Sequence, residues 1–154
     1  MRRFDFDTLL VALNAADVHR LSFIREVLPE ASRRGMGLIG MKVYSQGHLL
    51  GEGGLSAADA MGYVLSLQGV STVIIGCQTP AEVEDNVRIV RQFVPFERSR
   101  MLGLEARTLS NAEKFTYLPM QLILVFRKTL ANSHNENREM LGYKSDLHRQ
   151  IHLL

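Results

Sequence analysis

Three short apolar runs, each followed by a stretch of helical periodicity, fix the fold class of this chain. The runs are Thr8-Leu9-Leu10-Val11-Ala12-Leu13, which stops at polar Asn14, then Gly37 to Val43, then Thr72-Val73-Ile74-Ile75. Runs of strand length without polar alternation suit strands covered on both faces, and the third is β-branched throughout. Between the first two, Phe23, Ile24, Val27, Leu28 and Ala31 form an apolar face at helical spacing over about Phe23 to Arg34. Ser22 is placed to cap that helix and Gly35 to close it, while Pro29 predicts a kink or a broken start. Tyr44 to Leu55 reads as a loop with four glycines. Ser56 then caps a helix carrying Ala60, Met61, Val64 and Leu65, which ends at Gln68-Gly69. A third helix runs from Pro80 to about Arg91. Strand, helix, strand, helix, strand, helix with short connections predicts parallel strands. The pattern leaves two architectures open: a doubly wound α/β sheet, or part of a (β/α) barrel.

The third junction is the candidate site. Gly76 permits a sharp turn or close backbone approach. Thr79 as N-cap, Pro80 as first helical residue and Glu82 three after the cap form a capping box. Amide N–H groups converging at a helix N-terminus favour an anion such as a phosphate. The same pattern serves any strand-to-helix turn, and no Lys or Arg lies between Gly76 and Asp85.

At 154 residues the length suits one core and one domain. A net charge of +2 is too small to point to nucleic acid or an anionic membrane. The single Cys77 rules out an intrachain disulfide framework and fits a reducing compartment. Asn14 and Asp17 interrupt any signal-peptide core near the N-terminus, and no run has bilayer-spanning length. The expected setting is cytoplasmic.

Four segments carry a family resemblance: Phe6-Asp7-Thr8 through Asn14, Gly35-Met36-Gly37-Leu38-Ile39-Gly40-Met41-Lys42, Gly69 to Gly76, and Glu82 to Asn86. In unbroken order over roughly residues 4 to 117, they resemble the C-terminal half of aldo/keto reductases. Those are (β/α)₈ barrel oxidoreductases that move a hydride between NADP or NAD and a carbonyl or alcohol. The resemblance implies a partial TIM barrel in which the three strands are the sixth, seventh and eighth. Gly76, Cys77, Gln78 and Thr79 match the loop around the adenosine phosphate, and Asp85 and Asn86 the acid-amide pair that holds adenine. Lys42, Val43 and Tyr44 fall on the segment that lines the pyrophosphate and nicotinamide.

Departures from the family pattern bear on the site. Glu82 stands where many members place an arginine or glutamine near the 2′-phosphate, which leans the chain away from tight NADP binding; a capping role is the competing reading. Met41 replaces a frequent nicotinamide-stacking aromatic, and Leu10 a frequent glutamine. The family's catalytic tyrosine, aspartate, lysine and histidine belong to its N-terminal half, and Tyr44, Tyr63, Tyr117 and Tyr143 match none of them. Carbonyl reduction needs a proton donor for the developing alkoxide. No catalytic residue is therefore assigned, and the chain alone is expected to be inactive.

The other constellations read as structural. His148 and His152 have a metal-capable i, i+4 spacing without a third ligand and read as a solvated helix end. His19 and His48 read as exposed loop residues, Cys77 as a small packing residue, and Arg88 and Arg91 as a solvated helix face. The likeness ends near Ala112 to Tyr117. Residues 1–117 are thus expected to form the barrel portion and 118–154 a tail, irregular or helical, that is either an appendage or a foreign or shifted reading frame; the second is favoured. Two functions compete: a dinucleotide-binding portion of a reductase whose catalytic half is absent or supplied by another chain, and a non-catalytic binding or assembly module that keeps the fold.

Overall fold

The structure, a computed structural model, describes residues 6–19, 22–112 and 123–126. Four strands form one sheet: β1 (Thr8–Ala12), β2 (Gly37–Met41), β3 (Val70–Val73) and β4 (Ile123–Phe126), in the order β3-β2-β1-β4. β1 pairs parallel with β2, Leu9 opposite Leu38, and β2 pairs parallel with β3 through a bulge at Leu38/Ile39. β4 runs antiparallel to β1, with Leu9 opposite Val125. The parallel βαβ order read from the sequence is therefore present. Within 118–154 a strand was not anticipated, because a short apolar run does not tell strand from helix by itself.

The helix after β1 is broken as its proline requires. α1 (Phe23–Glu26) is capped by Ser22, whose Oγ accepts the Arg25 N–H, and α2 (Leu28–Arg33) holds Pro29 in its first turn. Proline is harmless there because first-turn N–H groups have no intrahelical acceptor. Gly35 leaves the helix at φ +68°. α3 (Ala57–Leu65) is capped by Ser56 through the Asp59 N–H. α4 (Pro80–Arg91) follows β3, and α5 (Arg98–Thr108), which the sequence reading did not assign, packs Met101, Leu104 and Thr108 inward.

Leu9, Val11, Leu13, Leu38, Val43, Met61, Tyr63 and Val64 are buried to within about 1 % of their surface. Each such side chain contributes about 1.5–3 kcal/mol. The Tyr63 hydroxyl donates to the Glu105 carboxylate at 2.9 Å, joining α3 to α5. Burial, and then that carboxylate, push its phenol far above the usual value. The Phe96 ring sits against Gly62 of α3, where a Cβ would collide with it. The Arg100 guanidinium covers the same ring at 3.7 Å and reaches Asp59 at 2.9 Å.

Two expectations are corrected. The third run is not covered on both faces: β3 ends at Val73, Ser71 and Thr72 are exposed, and Ile74 is 54 % exposed. β3 lies at the sheet edge, with no further strand beside it among the described residues. His19 is half-buried rather than exposed, its Nε2 lying 2.9 Å from the Glu105 carbonyl oxygen and 3.0 Å from Thr108 Oγ1. His48 is exposed. Buried Asp17 accepts hydrogen bonds from Ser22 Oγ and the Phe23 and Ile24 N–H groups. Desolvation outweighs these bonds and raises its pKa. Among the described residues no helix is long and apolar enough to cross a membrane.

Candidate functional site

Parallel strands deliver their C-terminal ends, and the loops that follow, to one side of the sheet, where ligands of α/β folds bind. Asn14 after β1, Lys42 to Tyr44 after β2 and Gly76 to Thr79 after β3 stand there. Asn14 is buried, its Oδ1 accepting the Ala16 N–H and its Nδ2 reaching the Lys42 carbonyl at 3.5 Å, so one amide joins two of these loops.

The capping box at the third junction is formed, with one change. Thr79 Oγ1 accepts the Glu82 N–H at 3.3 Å, and the Glu82 carboxylate accepts the Gln78 N–H at 2.7 Å, one residue ahead of the N-cap. Glu82 thus sets a carboxylate against a loop amide that an anion would otherwise use. Among the described residues no hydrogen bond engages the N–H groups of Gly76, Cys77 and Thr79. Cys77, Gln78, Thr79, Pro80, Val83 and Glu84 line a shallow, open groove.

Behind this loop a second set of side chains meets. Tyr44 donates its hydroxyl to Asn86 Oδ1 at 2.7 Å, and Asn86 Nδ2 donates to Cys77 Sγ at 3.2 Å. Burial, with a smaller contribution from Cys77, pushes the Tyr44 phenol up to about 12. Cys77 is exposed and unbridged, not the packing residue expected.

Of the residues singled out from the sequence, Gly76, Cys77, Gln78, Thr79, Glu82 and Asn86 come together. Asp85 does not join them, being ion-paired to Arg88 one turn along the exposed face of α4. Val43 is in the core. Lys42 lies at the end of β2, outside the groove lining. Its φ is +56°, and Ser45 and Gln46 follow at +47° and +58°. Three residues with side chains in the left-handed region within five positions is a concentration of strain typical of ligand-facing loops. His148 and His152 lie outside the described residues. Sequence reasoning missed the Tyr44–Asn86–Cys77 contact, for which no local signal exists at a separation of 42 residues.

Chemically, a capped helix N-terminus preceded by a loop with unengaged N–H groups at Gly76 and Cys77 is a place where an anion can be held. Glu82 and Glu84 oppose a dianionic phosphate monoester in the same place.

No family model matches the sequence and no curated protein matches it. Among solved structures the chain is similar to aldo-keto reductase AKR11C1 from Bacillus halodurans. Against the apo form the TM-score is 0.54 at 16 % identity, covering 69 % of this chain and 44 % of that one. Against the holo form it is 0.52 at 18 % identity, covering 67 % and 44 %. The chain thus spans less than half the length of the structures it matches. The shared feature is the fold, part of an aldo-keto reductase barrel.

Proposed function

We propose that this chain is the cofactor-binding portion of an aldo/keto reductase-type oxidoreductase. The observation that carries the reading is the set of unengaged N–H groups at Gly76, Cys77 and Thr79. They stand in and at the end of the loop that leads from β3 into a capped 12-residue helix, on the C-terminal side of a parallel sheet. In barrels of this kind the loops after the last two strands hold phosphate. Gly76, Cys77, Gln78 and Thr79 hold the adenosine-side phosphates and Asn86 faces the adenine; Asp85 joins it only on leaving its ion pair with Arg88, and Lys42 reaches the pyrophosphate from the end of β2, outside the groove. Glu82 disfavours a 2′-phosphate, so NADH binds more tightly than NADPH. The bound nicotinamide supplies the hydride; this chain's residues bind and orient it.

No proton donor for a reduced carbonyl is assigned, so aldehyde reduction needs residues that these 154 do not contain. A chain supplying the remaining half-barrel would provide them, and the protein works in the cytoplasm. In this reading residues 1–117 are the barrel unit and 118–154 an appended tail. The antiparallel direction of β4 supports that division, since barrel strands of this fold all run parallel. A second reading, a non-catalytic binding or assembly module that keeps the fold, draws support from Glu82 on the Gln78 N–H and Tyr44 on Asn86. Both bonds satisfy the site from within.

Fluorescence titration of the full chain with NADH and NADPH separates the two. Saturable binding with NADH the tighter ligand supports the cofactor-binding reading. No binding of either at millimolar concentration overturns it in favour of the second.

A further inference from the structure

We infer that β4 is an autoinhibitory strand: it holds the edge of β1 that a complementing half-barrel must take, so the barrel closes only after β4 lets go. This rests on the proposed function, in which another chain supplies the remaining strands. Three parallel strands offer such a partner two edges, the outer side of β1 and the outer side of β3, and a closed barrel needs both. Among the described residues the β3 edge is uncovered. The β1 edge is taken. β4 pairs along it from Thr8 opposite Phe126 to Val11 opposite Ile123.

The direction of β4 sets it apart from a barrel strand. β1, β2 and β3 run parallel, and β4 runs against them. The outward N–H and C=O groups of an edge strand bond one neighbour at a time. A parallel strand from a partner and the antiparallel β4 therefore exclude each other on β1. The geometry also makes β4 removable. It is four residues long, lies at the end of the sheet and pairs with β1 alone. On its other side β1 keeps a parallel ladder to β2, from Thr8 opposite Gly37 to Ala12 opposite Met41. Residues 113–122 tie β4 to Ala112, so a released strand stays on the chain and can return. A bare sheet edge invites pairing with other chains, and β4 withholds this one until a partner competes for it.

The full chain carrying both Leu124→Pro and Val125→Pro tests this inference. Backbone donors alternate in direction along an antiparallel strand, so one of the two prolines removes a donor aimed at β1. Amide exchange read by NMR should show the outward β1 amides losing protection about tenfold or more while the β2 amides keep theirs. A fluorescent peptide of residues 120–129 then serves as a strand supplied in trans. It should bind the double-proline chain about tenfold or more tighter than the wild-type chain, by strand addition to the vacated edge. Equal binding to the two chains, no binding to the variant, or unchanged β1 exchange would overturn the inference. Loss of β2 protection as well would make β4 a part of the core instead of a removable strand, and overturns it too. NADH titration of both chains reads the proposed function separately. Peptide capture by the variant alone, with no NADH binding to either chain, strikes the proposed function and upholds β4 as the guard of the β1 edge.

Discussion

The Tyr44 hydroxyl donates to Asn86 Oδ1 at 2.7 Å, joining the loop after β2 to the second turn of α4. Through this bond the loop after β2 and the helix after β3 are held together by one half-buried phenol. Removing it leaves the Asn86 carbonyl without its partner, at a cost of about 1 kcal/mol. Tyr44→Phe should lower the thermal midpoint by a few degrees and weaken NADH binding; an unchanged midpoint and affinity would show that the bond positions nothing.

The phenol also gives a pH signature. Its folded pKa of about 12 lies above the ordinary value of 10, so the folded state keeps its proton where the unfolded chain releases it. Tyr44 therefore adds stability that is complete below about pH 10 and is lost as pH rises from 10 through 12. Alkaline absorbance titration of the tyrosinate band should show a late step near pH 12 that Tyr44→Phe abolishes.

At the acid end Glu30 behaves in the opposite sense. Hydrogen bonds from Arg33 and then Arg34 hold its carboxyl down at about 2. The stability it adds is present above about pH 4.5 and fades as pH falls toward 2. The pair is solvent-exposed, so the effect is small and salt-sensitive. Glu30→Gln should flatten the loss of stability between pH 5 and 2, measured by urea unfolding, with the difference shrinking at 0.5 M salt.

Gly62 tests the packing of α3. A Cβ there collides with the Phe96 ring, which the Arg100 guanidinium covers from another direction. Gly62→Ala should destabilise by about 1–3 kcal/mol in chemical denaturation, the usual range for overpacking. Adding Phe96→Leu should recover part of that loss.

Glu82 has two effects that one variant separates. Glu82→Gln keeps an acceptor for the Gln78 N–H but removes the charge. NADPH affinity should rise several-fold while the thermal midpoint stays nearly constant. Thr79→Ala, which deletes the cap on the Glu82 N–H, should cost about 1 kcal/mol. If Glu82→Gln leaves the NADPH-to-NADH ratio unchanged, the carboxylate is a cap and nothing more.

Local chemistry made much of the fold legible. Ser22, Ser56 and Thr79 cap the helices they precede, Pro29 breaks the helix that holds it, and the first two apolar runs are inner strands. What escaped notice depends on neighbours distant in sequence. Ile74 reads as core from its β-branched run, yet among the described residues no strand lies beside β3 to cover it. His19 reads as a loop residue, yet α5 brings the Glu105 carbonyl and Thr108 to its ring. In the site, Gly76 to Thr79 and Glu82 were visible through turn and cap chemistry. The left-handed Lys42, Ser45 and Gln46 were not, because those side chains carry no local preference for that conformation.

The central claim is that backbone amides of the third junction hold a dinucleotide, and backbone NMR reads them individually. On titrating the ¹⁵N-labelled chain with NADH, the Gly76, Cys77 and Thr79 amide resonances should shift most and saturate together, with Asn86 following. Shifts confined to other parts of the surface, or none at millimolar NADH, would contradict it.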